Sequence, residues 1–356
     1  MRKKIIIIAV NIVLLITFIA CQLISASIIM PLHSQKAAGA WAGQSGERFM
    51  QLSVFFPESS SFDTNSIRST RASIDSSLLT ASLESGRERS FYADAWAAYG
   101  EVSVVSDRGR PANVSVVGVG GDFFLFHPMR LRHGSYLFPD DIMKDRVILD
   151  EELAWRLFGA TNISGMEILI NGKPFIIAGI VSRENDFASS RAYFGGEGLF
   201  MPFEALDAMT DGNTKIISYE IVMPDPINNF AFNIIDNIFN EDGIHIVKNT
   251  TRFSTANLFD NIWSFGERSM RSDTTVFPYW ENAARFAEDW LSLLLIISII
   301  VMILPTVFAV IYSVKFIRFG IKQLRKFIKN YIKKRDDRAY KKYKANQKLK
   351  LFGNKR

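Results

Sequence analysis

Two uncharged apolar runs bracket this sequence and limit what it can fold into before anything else does. Ile5 to Met30 carries no charge in 26 positions, and Trp290 to Val314 carries none in 25. At about 1.5 Å per helical residue, either run exceeds the ~30 Å hydrocarbon core of a bilayer. The 356 residues therefore read as a cytoplasmic stub at 1–4, a first span at 5–30, an extracytoplasmic domain at 31–289, a second span at 290–314 and a tail at 315–356. The 259 residues between the runs can build a core of their own.

A net charge of +6 conceals a sharp partition. Arg2, Lys3 and Lys4 give +3, and the tail sets 17 Lys/Arg against Asp336 and Asp337 for +15. The segment between the runs holds 22 basic and 34 acidic residues and carries −12. Lys and Arg collect on the cytoplasmic side of a span. The expected topology is a two-pass protein of the cell membrane with both termini cytoplasmic. The pI of 9.2 belongs to the tail, so no nucleic-acid partner is expected. A basic tail beside a span reads first as charge facing anionic lipid.

The first run shares its charge order with a signal peptide, and residues 17–21 loosely resemble a lipoprotein cleavage box. Apolar residues continue past Cys21 to Met30, which favours an uncleaved anchor. With Cys21 the single cysteine, a disulfide-stapled scaffold is excluded. Neither span carries an Asp, Glu, Lys, Arg or His side chain, which argues against a proton relay. Pro305 is a candidate kink, and Trp290 and Tyr312 mark the two interfaces.

Between the spans the pattern alternates strands and helices. Arg48–Phe56 reads as a strand, and Asp63–Leu83 as a helix with Ile67, Ile74, Leu78 and Leu79 on one face. Val102–Val105 and Asn113–Val119 are expected strands about a turn at 107–111. Asp150 to Gly159 is a capped short helix, and Asn171-Gly172 predicts a type I′ hairpin between 166–170 and 173–181. Ser218–Met223, Ile227–Phe239 and Ile244–Lys248 repeat strand, helix, strand, and 253–289 reads as largely helical. The expected fold class is α/β, a two-sub-domain extracytoplasmic domain of strand–helix–strand units plus a strand-rich insert.

No catalytic constellation emerges. There is no Gly-x4-Gly-Lys-Ser/Thr cradle, and Gly118-Val119-Gly120-Gly121 reads as a tight turn. His33, His127, His133 and His245 lack metal-ligand spacing and read as solvated loop residues. The carboxylates from Asp140 to Glu152 lack an EF-hand pattern and are assigned to turns and a helix cap. No catalytic, cofactor-binding or metal residue is assigned, no cofactor is expected, and the chain does not read as an enzyme.

One longer stretch carries a family resemblance. Val114-Ser115-Val116-Val117-Gly118-Val119-Gly120-Gly121-Asp122-Phe123-Phe124 precedes Leu131-Arg132-His133-Gly134-Ser135-Tyr136-Leu137-Phe138. Val147 to Gly159, Gly165 to Ile168, Phe175 to Val181 and Gly198 to Phe203 follow. Together they resemble the extracytoplasmic core domain of the MacB/FtsX-like ABC transporter permeases, in a form with two transmembrane helices. Ser135 stands where that family often has Arg, and its two further spans have no counterpart here. The resemblance implies a non-catalytic, permease-like subunit of an ABC transport or mechanotransmission system. Its implied partners are a separate ABC ATPase subunit and either a full-length permease or a second copy in a homo-oligomer. The competing expectation is a membrane-anchored extracellular binding or sensor protein without an ATPase. In the tail, Ile317, Ile321, Leu324, Ile328 and Tyr331 form one helical stripe, suited either to anionic lipid or to docking on a partner.

Overall fold

The computed structural model describes residues 2–83, 90–106, 111–193, 198–264, 271–272 and 275–353. They fall into two units, residues 22–295 and residues 1–21 with 296–356. In chain order, α1 (Arg2–Ile29) and α2 (Ala37–Ala42) lead to β1 (Phe49–Phe55), α3 (Thr64–Thr80) and β2 (Ala93–Val105). Then come β3 (Ala112–Gly121), α4 (Phe123–Phe126), β4 (Arg130–Gly134), β5 (Arg146–Asp150) and α5 (Glu151–Phe158). β6 (Glu167–Ile170), β7 (Lys173–Ser182), α6 (Ser189–Ala192), β8 (Gly198–Pro202) and α7 (Phe203–Asp207) follow. β9 (Ile216–Pro224), α8 (Phe230–Ile238), β10 (His245–Lys248), α9 (Thr255–Trp263) and α10 (Tyr279–Gly353) end the order.

The strands form one ten-stranded sheet that does two jobs. At one end β10, β1, β9 and β2 pair antiparallel in that order. With α3 joining β1 to β2 and α8 joining β9 to β10, this is a split β-α-β arrangement of the ferredoxin-like kind. At the other end β2, β3, β8, β5, β7 and β6 pair in turn and return to β2, closing a six-stranded barrel. β2 belongs to both: its start pairs with β9, and Val104–Val105 pair with β6. A closed barrel leaves no free edge among its own strands. The expected pair of sub-domains with a strand-rich insert is therefore present.

Period-two alternation explains the cores. Met50, Leu52 and Val54 of β1 point toward α3 and α8, packing with Ile67, Ile74, Ile235 and Tyr219. The barrel interior is filled by Val102, Val116, Leu149, Ile177, Leu199 and their neighbours, with Leu153 and Leu157 of α5. A third cluster, including Phe123, Phe126, Phe200 and Trp280, covers the opposite face of the sheet.

Several elements differ from expectation. α3 ends at Thr80, and Thr70 replaces Leu79 on its buried face, Leu79 being exposed. Asp63 caps that helix by accepting from Ser66 N at 2.8 Å, worth about 1 kcal/mol. β2 begins at Ala93 instead of Val102, because Ala and Gly carry a weak strand signal although this stretch is mostly buried. Gly118–Gly121 lies within β3 and is not a tight turn. Its reason is contact: a Cβ on Gly120 would stand 2.1 Å from Trp96 Cε2. α8 starts at Phe230, three residues late, after Asn229 adopts a positive φ. Of 253–289, α9 and the start of α10 are helical, while Arg271–Ser272 pairs antiparallel with Thr275–Val276. Residues 107–110 of the expected turn lie outside the described residues. The hairpin is as expected, with φ of 46° at Asn171 and 77° at Gly172.

α1 and α10, parts of which make up the second unit, are each long and apolar enough to cross a membrane. α10 runs unbroken for 75 residues, with Pro305 inside it, and the tail stripe from Ile317 to Tyr331 is exposed along its surface.

Candidate functional site

Polar side chains occupy the face of β1 opposite the helices. Gln51 and Ser53 alternate with Leu52 and Val54, and both are fully buried. Buried polar groups must find partners, and theirs lie on the segment after α1, on β9 and just beyond β10. Gln51 Nε2 donates to Ser34 O at 2.6 Å, and its Oε1 accepts from Ala37 N at 2.9 Å. That ties the chain leaving α1 to the sheet. The Ser53 hydroxyl donates to Glu220 Oε1 of β9 at 2.7 Å, with Asn249 Oδ1 at 3.0 Å. Glu220 Oε2 pairs with His127 Nε2. The imidazole is held between the rings of Phe123 and Trp280, 4.5 and 4.4 Å away.

Arg252 anchors the second helix. It is 4% exposed, and its Nη1 and Nη2 donate to Glu281 Oε2 and Oε1 at 2.6 and 2.8 Å, a bidentate clamp. Glu288, two turns further along α10, accepts from Nη2 at 3.2 Å. Its Oε1 also stands 2.8 Å from Nε, an off-axis charge contact that lies outside hydrogen-bond geometry. Arg285 Nε donates to Glu281 Oε1 at 2.8 Å. Gln35 Oε1 accepts from Asn249 Nδ2 and Arg252 Nη1 at 3.0 and 3.4 Å, joining the two roots. Burial pushes the Glu281 carboxyl up, but Arg252 and Arg285 outweigh it and hold it below the ordinary glutamate value. Burial likewise opposes the Arg252 charge, and Glu281 and Glu288 outweigh that opposition. Glu184, near His127 and Tyr279, is pushed above its ordinary value chiefly by burial.

A glutamate between a serine and a histidine is not a nucleophile–base–acid relay, since the hydroxyl contacts the carboxylate instead of the imidazole. All three side chains are also closed to solvent. What the network does is bond one sheet face to the segment that follows α1, and that segment in turn to Arg252 and the start of α10.

A cleft of about 780 Å³ opens beside this network, between α5 and the chain leaving α1. Its wall is ion-paired: Arg132 with Glu151 at 3.1 Å, and Arg183 with Glu152 at 3.0 Å and Asp150 at 3.3 Å. Asp150 is the helix cap expected, accepting from Leu153 N at 2.7 Å, and it also accepts from Gly198 N at 2.9 Å. Burial pushes its carboxyl above the ordinary value, against those bonds and Arg183.

Apart from the Asp150 cap and the turn and cap roles given to the neighbouring carboxylates, sequence reading assigned these residues no role. His127, expected as a solvated loop residue, is 5% exposed and paired with Glu220, because α4 turns it under the sheet. His33 and His133 are exposed as expected, but His133 lies in β4 and not in a loop, and His245 opens β10 and is half-buried. Two signals were available. One is a Gln and a Ser at alternate positions of the otherwise apolar strand Phe49–Phe55. The other is Glu281, Arg285 and Glu288, spaced four and three apart, directly before an apolar run.

Residues 44–232 match the family described as MacB-like periplasmic core domain. The macrolide export ATP-binding/permease protein MacB of Chromobacterium violaceum is 32% identical over 117 residues, covering 32% of this chain and 17% of that protein. The MacB of Agrobacterium fabrum is 36% identical over 78 residues, covering 21% of this chain and 12% of that protein. The matched segments thus span less than a fifth of either relative. Among solved structures, the periplasmic region of MacB from Actinobacillus actinomycetemcomitans aligns with a TM-score of 0.39 at 18% identity, covering 62% of this chain and 93% of that one. The extracellular domain of the ABC-type transporter YknZ from Gram-positive bacteria aligns with a TM-score of 0.37 at 12% identity, covering 56% and 100%.

Proposed function

The chain belongs to the MacB-like periplasmic core domain family, and from that premise we propose that it is a non-catalytic, permease-like membrane subunit whose outer domain is moved by a separate ABC ATPase. The observation that carries this reading is the buried network. Gln51 bonds the segment after α1 to the sheet face, Arg252 clamps the start of α10, and Gln35 joins the two. Displacement of either helix would therefore reach the whole domain, and a substrate or partner held there would feel it. The charge partition supports cytoplasmic termini, which puts the tail on the side where ATP is available.

The tail is the coupling element in this reading. An interfacial helix has to turn out of the span's axis, and sharp turns break backbone hydrogen bonds. α10 instead continues as one helix to Gly353, which favours docking of the Ile317–Tyr331 stripe on an ATPase, a full-length permease or a second copy over a position flat on anionic lipid. The test is purification of the tagged full chain from its native membrane in mild detergent, with ATP hydrolysis measured in the eluate. The wild type should bring down vanadate-sensitive activity, and deletion of Gly320 to Arg356 should remove it. If the wild type captures no more ATPase than an unrelated two-span protein, the anchored binding protein without an ATPase replaces this reading.

A further inference from the structure

α9 presents an apolar arc that only half satisfies itself. Leu258, Ile262, Phe259, Trp263 and Ala256 cover nearly half of the helix circumference, with Asn257, Asn261 and Asp260 on the remainder. Leu258 is buried against Ile28, Ala283, Ala287 and Leu291. Its neighbours Phe259 and Trp263 point away, 45% and 79% exposed, with their rings 6.3 Å apart.

The level at which this occurs matters. Ser292 Oγ donates to Leu258 O at 3.0 Å, so α9 lies against residues inside the uncharged run that starts at Trp290. Trp290 is itself 42% exposed, and it contacts Phe187 at 5.6 Å. Phe187 also contacts Phe286 at 5.4 Å, with the Arg191 guanidinium 4.5 Å from its ring. Aromatic rings with a cation beside them, at the outer end of a span, match the headgroup region, where amphipathic rings are favoured.

We propose that α9 is a membrane-surface helix, seating Phe259 and Trp263 in the outer leaflet at the headgroup–acyl boundary and thereby fixing the height of the domain above the bilayer. The occupant of the exposed face is phospholipid, because the helix packs on the first turn of the span and sets two aromatic rings outward at that level, beside the exposed Trp290. The inference rests on the reading of α10 as a span and on no ATPase.

The experiment uses the full chain in a Cys21→Ser background, reconstituted in phosphatidylcholine–phosphatidylglycerol vesicles. An environment-sensitive fluorophore is placed on Trp263→Cys, and separately on Phe259→Cys, Ile303→Cys and Lys173→Cys. The labels on α9 should emit to the blue of the Lys173→Cys label and lose quenching by aqueous iodide. They should gain quenching by a phospholipid carrying a doxyl group just below its carbonyls. If Ile303→Cys is lipid-quenched while both α9 labels behave like Lys173→Cys, the spans hold and the surface helix is overturned. If Ile303→Cys is itself open to iodide, the two-span premise fails first.

Discussion

Arg252→Met tests the network where it is most concentrated. The substitution keeps apolar volume and removes the cation that Glu281 and Glu288 share. Deleting one partner of a buried ion pair costs roughly 3–5 kcal/mol. Glu281 keeps Arg285 at 2.8 Å, which holds the loss to about 3–4 kcal/mol. In a unit of this size that corresponds to a fall of roughly 6–16 °C in Tm, read by thermal unfolding of the purified full chain. Adding Glu281→Gln and Glu288→Gln should restore most of it, since the penalty lies in the stranded charges. The pH dependence gives an independent check. With its folded value held below the ordinary 4.5, Glu281 contributes stability at neutral pH that is lost as pH falls below about 4.5. In Arg252→Met, burial dominates and the folded value rises, so acidification should stabilise the variant relative to wild type. An Arg252→Met protein that melts with the wild type, or a triple variant that recovers nothing, would refute the clamp.

Gly172→Val isolates backbone strain in the β6–β7 hairpin. Its φ is 77°, and a Cβ there meets nothing within 4 Å, so the expected loss of about 1–3 kcal/mol is conformational alone. An unchanged melting curve would mean that the turn is free to change type. For topology, Lys173→Cys and Lys334→Cys in a Cys21→Ser background should differ in intact cells: an impermeant thiol reagent should reach the first and not the second. Labelling at Lys334→Cys from outside would overturn the cytoplasmic assignment of the tail.

Local chemistry made the Asp150 cap and the hairpin legible. Asp150 and Asn171-Gly172 act through partners or φ values a few residues away, so composition and spacing suffice to place them. The apolar runs are equally local, because twenty-odd uncharged residues have few stable environments outside lipid. The Gly/Ala-rich part of β2 was hidden for the converse reason. Small residues carry little strand signal, and Ala93–Ala98 is a strand because β9 and β3 pair on either side of it. His127 shows the same limit: nothing in Phe126-His127-Pro128 reveals that Glu220, 93 positions on, sits opposite. Barrel closure and the network are long-range pairings, decided by which strands meet and which polar groups are then shut away from water together. The sequence alone determined that this chain has two membrane-crossing candidates, a charged tail and an α/β domain between them. The tertiary structure alone decided that Arg252 lies between Glu281 and Glu288, because burial turns an unremarkable arginine and two helix-surface acids into groups that must pair.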